Sequence, residues 1–128
     1  METNHKPSVL VVGGGIGGMA AALSLSRLGM AVTVLEQAST LGEIGAGIQL
    51  APNAFAALDA LGVGERTRAK AVFTERLVMM DAVDATEVGT FVVDAAFRER
   101  FSNPYAVIHR ADIHGAILDA VRTSPLIT

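Results

Sequence analysis

The chain has 128 residues, enough for one domain that hides roughly two thirds of its unfolded surface. Apolar residues make up 51% and charged residues 18%, which excludes a disordered chain. A net charge of −3 argues against a nucleic-acid or anionic-membrane partner, and the absence of cysteine excludes disulfides and thiolate chemistry within these residues.

Residues 1–8 are polar and end in Pro7-Ser8, a frayed lead-in. Val9–Val12 is a short apolar run with β-branched residues, the pattern of a buried parallel strand. A helix is predicted from Gly15 to Leu28. Its surface is apolar almost all round, which predicts cover on several sides, and Gly29 is placed to end it in a left-handed cap. Ala31–Leu35 is a second strand, and the helical crossover predicts a parallel, right-handed pair.

The uncharged stretch from Ser8 to Ser26 is long enough to raise a membrane reading. Six glycines between Gly13 and Gly29 and the two strand-like flanks argue against it. The opening residues also make a poor signal peptide. The default location is the cytoplasm.

Residues 37–50 read as a loop punctuated by Gly42, Gly45 and Gly47. Pro52 starts a helix that Gly62 stops. Val63–Ala71 is a short helical turn whose charges form a solvated face. Glu75–Asp81 and Glu87–Asp94 form an antiparallel pair around a break at Asp81–Ala85, and Ala95–Asn103 is left without assignment. Tyr105–Ile108 is a further strand. Asp112 is the expected cap of a last helix, with Ile113, Ala116, Ile117, Ala120 and Val121 on one face.

Gly13, Gly15 and Gly18 form G-x-G-x-x-G around Ile16 and Gly17. The first glycine makes the turn, the second lets backbone approach a diphosphate, and the third lets the helix pack on the strand. The helix N-terminus supplies N–H donors and positive dipole character. Glu36 follows Gly13 by 23 positions, at the end of the second strand, where a carboxylate accepts from ribose hydroxyls and repels a 2′-phosphate. The G-K-[ST] of a P-loop is missing. Strand, turn, helix, strand and acid in register predict a dinucleotide, and these residues alone leave FAD and NAD both open. His109 and His114 have no third ligand spaced with them for a metal, and neither reads as a catalytic base.

Three stretches extend this reading: VLVVGGGIGGMAAALSLSRLGMAVTVLEQ from residue 9, GEIGAGIQLAPNAFAALDALG at 42–62, and YAVIHRADIHGAIL at 105–118. Together they resemble the N-terminal part of the FAD-dependent aromatic hydroxylases, the single-component flavoprotein monooxygenases. MMDAVDA at 79–85 adds a weaker likeness to the branch that acts on 3-hydroxybenzoate. The resemblance covers essentially the whole chain, but members of the family are several times longer.

It implies an α/β, Rossmann-like FAD-binding βαβ domain with an antiparallel strand excursion, incomplete within these residues. Residues 1–128 are the N-terminal part of that domain, with no separate second domain. The cofactor implied is FAD. Gly13, Gly15, Ile16, Gly17 and Gly18 hold its diphosphate, and Glu36 with Gln37 its ribose. Gly47 and Ile48 pass near the isoalloxazine, and Arg110 stands at the arginine of the family's R-x-x-L motif, with Ile113 where leucine is usual. Gln49 and Asn53 are placed either to approach the flavin or to satisfy loop backbone. NADH or NADPH and O2 are the co-substrates, and a phenolic or benzoate-type acid is the substrate, with 3-hydroxybenzoate going to gentisate. The family's substrate-facing histidine and tyrosine have no counterpart here, so these 128 residues alone are expected to be inactive, and a homodimer is one oligomeric state left open.

Overall fold

The computed structural model describes residues 8–42 and 45–128. The lead-in at 1–7, and Glu43 and Ile44 within the expected loop, lie outside the described residues. Strand β1 (Ser8–Val12), helix α1 (Ile16–Arg27) and strand β2 (Ala31–Leu35) form the first unit. The two strands pair in parallel, with Ser8 opposite Ala31 and Val12 opposite Leu35, but β1 is not the buried strand its apolar run predicts, since Leu10 and Val12 are exposed. Ile127 forms a parallel bridge with Val32 on the other side of β2.

The glycine after α1 does the work expected of it. Gly29 has φ +81°. Its N–H donates to Ser26 O, and the Met30 N–H donates to Leu25 O. This double closure of the last turn is open to a residue tolerant of the left-handed region. Helix α2 (Pro52–Ala60) ends the same way at Gly62, φ +67°, with Val63 N–H returning to Leu58 O. Val63 and Leu58 are both buried, so the second cap is also a hydrophobic contact.

Cover on α1 is narrower than its composition predicts. Met19, Ala22, Leu23 and Ser26 are buried, while Gly17, Ala21, Ser24 and Arg27 are exposed. Small residues make the outer face look apolar without requiring burial.

Helix α3 (Gly64–Arg68) is the expected helical turn, but its charges do more than face water. Arg68 lies over the Phe55 ring at 5.0 Å, pairs with Asp59 through both guanidinium nitrogens, and reaches Asn103 at 2.7 Å. The Arg68 pair holds the Asp59 carboxyl below its ordinary range. Arg66 joins Asp119 at 2.8 Å.

Residues 47–50 do not stay in the loop. They form strand β3 (Gly47–Leu50), and a short strand β4 (Val72–Phe73) follows α3. Strands β5 (Arg76–Met80) and β6 (Glu87–Val92) are the expected antiparallel pair, with a register shift between Met79 and Met80. The unassigned stretch forms helix α4 (Ala95–Phe101), capped by the Asp94 carboxylate accepting from Ala96 and Phe97 N–H.

Strand β7 (Ala106–His109) pairs antiparallel with both β3 and β4, giving the order β3-β7-β4. Helix α5 (Arg110–Arg122) begins two residues before the expected cap. His109 takes that role through Nδ1, which accepts from Ala111 N–H at 3.2 Å, and Asp112 lies in the first turn. A strand that runs directly into a helix puts the cap on the last strand residue.

The core lies where α1, α5, α2 and the β3-β7 pair meet. Met19, Leu23, Leu50, Phe55, Ile108 and Ile117 are buried in one cluster. Burying each such side chain contributes about 1.5–3 kcal/mol. No helix among the described residues is long and apolar enough to cross a membrane.

Helix α1 comes so close to the end of β1 that a Cβ at Gly18 would sit 1.9 Å from Gly13 O, whereas one at Gly17 meets nothing within 4 Å. Gly18→Ala should therefore lower stability by about 1–3 kcal/mol, read as a drop in Tm by circular dichroism. Gly17→Ala should stay within about 1 kcal/mol of wild type. Equal melting of the two variants would contradict this packing.

Candidate dinucleotide-binding site

Strand β1 delivers Gly13 to the turn with φ +110°, a conformation costly for any residue with a side chain. Gly13 N–H donates to Leu35 O at 2.7 Å, so the turn starts hydrogen-bonded to the end of β2. Gly15 stands at the N-cap of α1 in extended conformation. Among the described residues no side chain caps this helix, and no acid lies in its first turn. The first intrahelical bond is Met19 N–H to Gly15 O, which leaves the first-turn amides through Gly18 ahead of the ladder. That is an anion cradle made of backbone.

Ile16 belongs to this turn through its main chain, since its half-buried side chain packs on the core cluster. Gly18 serves the close approach of helix and strand. Gly17 is exposed.

Glu36, at the end of β2, turns its carboxylate back over the turn. Oε2 accepts from Gly14 N–H at 2.6 Å, and Oε1 accepts from Ala38 N–H at 2.8 Å. These amides, Ala38 first and then Gly14, with a smaller contribution from Gln37, hold the carboxyl below its usual range. The group is exposed and ionised at neutral pH. A carboxylate offers about four acceptor positions, so capacity remains for a diol. Gln37 is exposed beside it.

A cleft of about 150 Å³ opens here, with Gly14, Gly15, Glu36, Thr40 and Leu41 in its walls. A larger cavity of about 370 Å³ adjoins Glu36 and is lined by Met19, Val34, Leu118 and Val121 among others. Bare amides, an acceptor at the strand end and an adjoining apolar space fit a diphosphate, a ribose and a flat ring.

The second group of expected residues is assembled by β3 and β7. Their register sets Gly47 opposite His109 and Ile48 opposite Ile108. Arg110 N–H donates to Ala46 O at 3.2 Å, and its side chain runs past Gly45, where an added Cβ would lie 3.3 Å from Arg110 Cδ. Arg110 is exposed at the first position of α5. Gln49 accepts from Tyr105 Oη–H across the sheet.

One residue ties the two groups together, and its sequence pattern showed only a helix position. His114 lies one turn after Arg110 on the same face of α5, is 2% exposed, and places Nε2 2.7 Å from Gly14 O. The available signal was a polar ring flanked by Ile113, Ile117 and Leu118. A buried polar group at such a place requires a partner. Among the described residues no three His, Cys, Asp or Glu side chains gather as a metal site.

A family model described as the FAD binding domain matches residues 6–120. The chain belongs to that family. Its cofactor is FAD, and the α/β Rossmann-like fold described above is the family's partial domain. The chain is 60% identical over 114 residues to the 3-hydroxybenzoate 6-hydroxylase of Polaromonas naphthalenivorans (strain CJ2), covering 89% of this chain and 28% of that protein. It is 58% identical over 118 residues to the 3-hydroxybenzoate 6-hydroxylase of Klebsiella oxytoca, covering 92% and 30%. Among solved structures, the tetrameric form of 2-methyl-3-hydroxypyridine-5-carboxylic acid oxygenase superposes with a TM-score of 0.83 at 23% identity, covering 98% of this chain and 32% of that one. That last likeness concerns the fold. The chain thus spans less than a third of the length of the curated relatives it matches.

In this FAD binding domain, Glu36 acts as a carboxylate. Its hold on the glycine turn is present at neutral pH and is lost as pH falls through its lowered pKa. In an acid titration followed by 15N–1H NMR, the Gly14 and Ala38 amides should shift together, below the pH at which an ordinary glutamate titrates. Glu36→Gln should remove that shared step. Independent titration of the two amides would exclude the shared acceptor.

Proposed function

We propose that these residues are the FAD-holding part of a monooxygenase that hydroxylates a phenolic benzoate with NADH or NADPH and O2. The reading takes 3-hydroxybenzoate as substrate and gentisate as product. The observation that carries it is the backbone cradle at Gly13–Gly18 with Glu36 beside it, in a chain so similar to the 3-hydroxybenzoate 6-hydroxylases.

In this reading the amides of Gly15, Ile16, Gly17 and Gly18 face the diphosphate, and Gly13 shapes the turn. Glu36 accepts from the adenosine ribose, with Gln37 beside it. The Gly47-Ile48 main chain and Arg110 lie along the remainder of the dinucleotide. When bound, FAD supplies the redox chemistry with reduced nicotinamide and oxygen. The chain's own part is to bind the cofactor, fix its orientation and shield it from water. No residue here is assigned as the acid or base, so these residues bind FAD without turning over substrate. The cytoplasm is the location that goes with a nicotinamide-dependent catabolic enzyme.

Two measurements test this. Titration of the chain with FAD, followed by flavin fluorescence, should show saturable binding, and Glu36→Gln should weaken it by about 10- to 100-fold, the scale of lost hydrogen bonds to a charged acceptor. Substrate-dependent NADH or NADPH oxidation by the protein, assayed with 3-hydroxybenzoate, salicylate and 4-hydroxybenzoate, should yield gentisate from the first. Turnover of another acid alone would replace the substrate assignment while leaving the cofactor site intact.

A further inference from the structure

We propose that His114 is a positioning residue for the diphosphate of FAD, acting through the Gly14 carbonyl without touching the cofactor. The inference rests on the FAD reading of the glycine turn.

His114 comes from the second turn of α5, 100 residues from Gly14. A carbonyl oxygen only accepts, so the ring nitrogen 2.7 Å from it must carry a proton and donate. The Gly14–Gly15 peptide is trans, since the described chain has no cis bond. In a trans peptide the carbonyl and the following N–H point in opposite directions. Drawing Gly14 O toward α5 therefore turns Gly15 N–H away from α5. That amide then sits at the N-cap of α1, ahead of the first intrahelical bond, where the anion cradle lies.

The same glycine is held from its other side. Its N–H donates to Glu36 Oε2 at 2.6 Å. Two side chains from distant parts of the sequence thus fix both peptide groups that flank Gly14. Without them, a run of three glycines has the widest backbone freedom available, and ordering it on binding costs affinity. A buried histidine in this place removes that freedom before the cofactor arrives. Its burial also means that loss of the hydrogen bond leaves Gly14 O without the partner that aims it.

A ring that merely fills the core would behave differently, and three variants separate the cases. His114→Leu fills comparable volume and lacks a donor. His114→Gln carries an amide N–H that reaches where Nε2 lies. His114→Asn carries the same group one methylene too short. FAD affinity is read by flavin fluorescence below the melting temperature of every variant, and the diphosphate environment by 31P NMR of the bound cofactor.

Positioning predicts about tenfold or greater weakening for Leu and Asn, near wild-type affinity for Gln, and 31P shifts changed in the first two and retained in Gln. If the Leu variant fails to fold, the Gln and Asn pair decides. Equal affinity across wild type, Gln and Asn overturns the inference and leaves the FAD reading standing. Gln as weak as Asn also overturns it, because the donor would not be what matters. Wild-type chain that binds no FAD overturns both.

Discussion

The Gly13 carbonyl oxygen excludes any side chain from residue 18, because a Cβ there would lie 1.9 Å away. Helix α1 can therefore rest directly on the end of β1, and much of the domain follows from that contact. It directs Met19 and Leu23 into the cluster shared with Ile113 and Ile117 of α5. It also sets the first-turn amides of α1 beside the carboxyl end of β2, where Glu36 emerges. Packing and the placement of the uncapped amides are thus two results of one close approach. A larger residue at 18 disturbs the second only by first disturbing the first.

The turn between β1 and α1 offers backbone and little else. Ile16 packs its half-buried side chain on the core, Gly17 has none, and the donors at the start of α1 are main-chain N–H groups. Backbone donors are effective only where their directions are fixed, and glycine is the residue least able to fix itself. The fixing comes from outside the turn. Leu35 O holds Gly13 N–H, Glu36 holds Gly14 N–H, and His114 holds Gly14 O. The side chains that matter most for the turn are therefore not in the glycine motif, and they arrive from β2 and α5.

This division explains what could be read in the sequence. The β1-α1-β2 unit, both glycine caps and the β5-β6 pair were legible because each is written in consecutive residues: apolar runs, a turn, a stop. Strand β3 was not, because Gly47–Leu50 has the composition of a loop and becomes a strand only by pairing with β7, some sixty positions on. Asp94 as a cap was present in the sequence but was overshadowed by the mixed charge that follows it. Asp112 was the expected α5 cap by propensity alone, and the direct junction of β7 with α5 puts His109 in that place. Glu36 was legible as an acid at a strand end, but not as one already bonded to Gly14 and Ala38. His114 was legible only as a helix position, since nothing local marks a contact spanning 100 residues.

Helix α1 begins at the glycine turn and α5 reaches it through His114, and the two helices start differently. At α5 the His109 ring already accepts from Ala111 N–H, and Asp112 places negative charge in the first turn. That end is supplied with its own acceptors and would repel an anion. At α1 no side chain caps the helix and its own first turn carries no acid; the nearby carboxylate of Glu36 is held by Gly14 and Ala38 N–H. Arg110 opens α5 one turn before His114, and its side chain runs past Gly45, while His114 reaches the Gly14 carbonyl. The antiparallel return of β7 beside β3 sets Gly47 opposite His109, so the start of α5 lies against Gly45 and Ala46, and only its second turn, through His114, reaches the glycine turn.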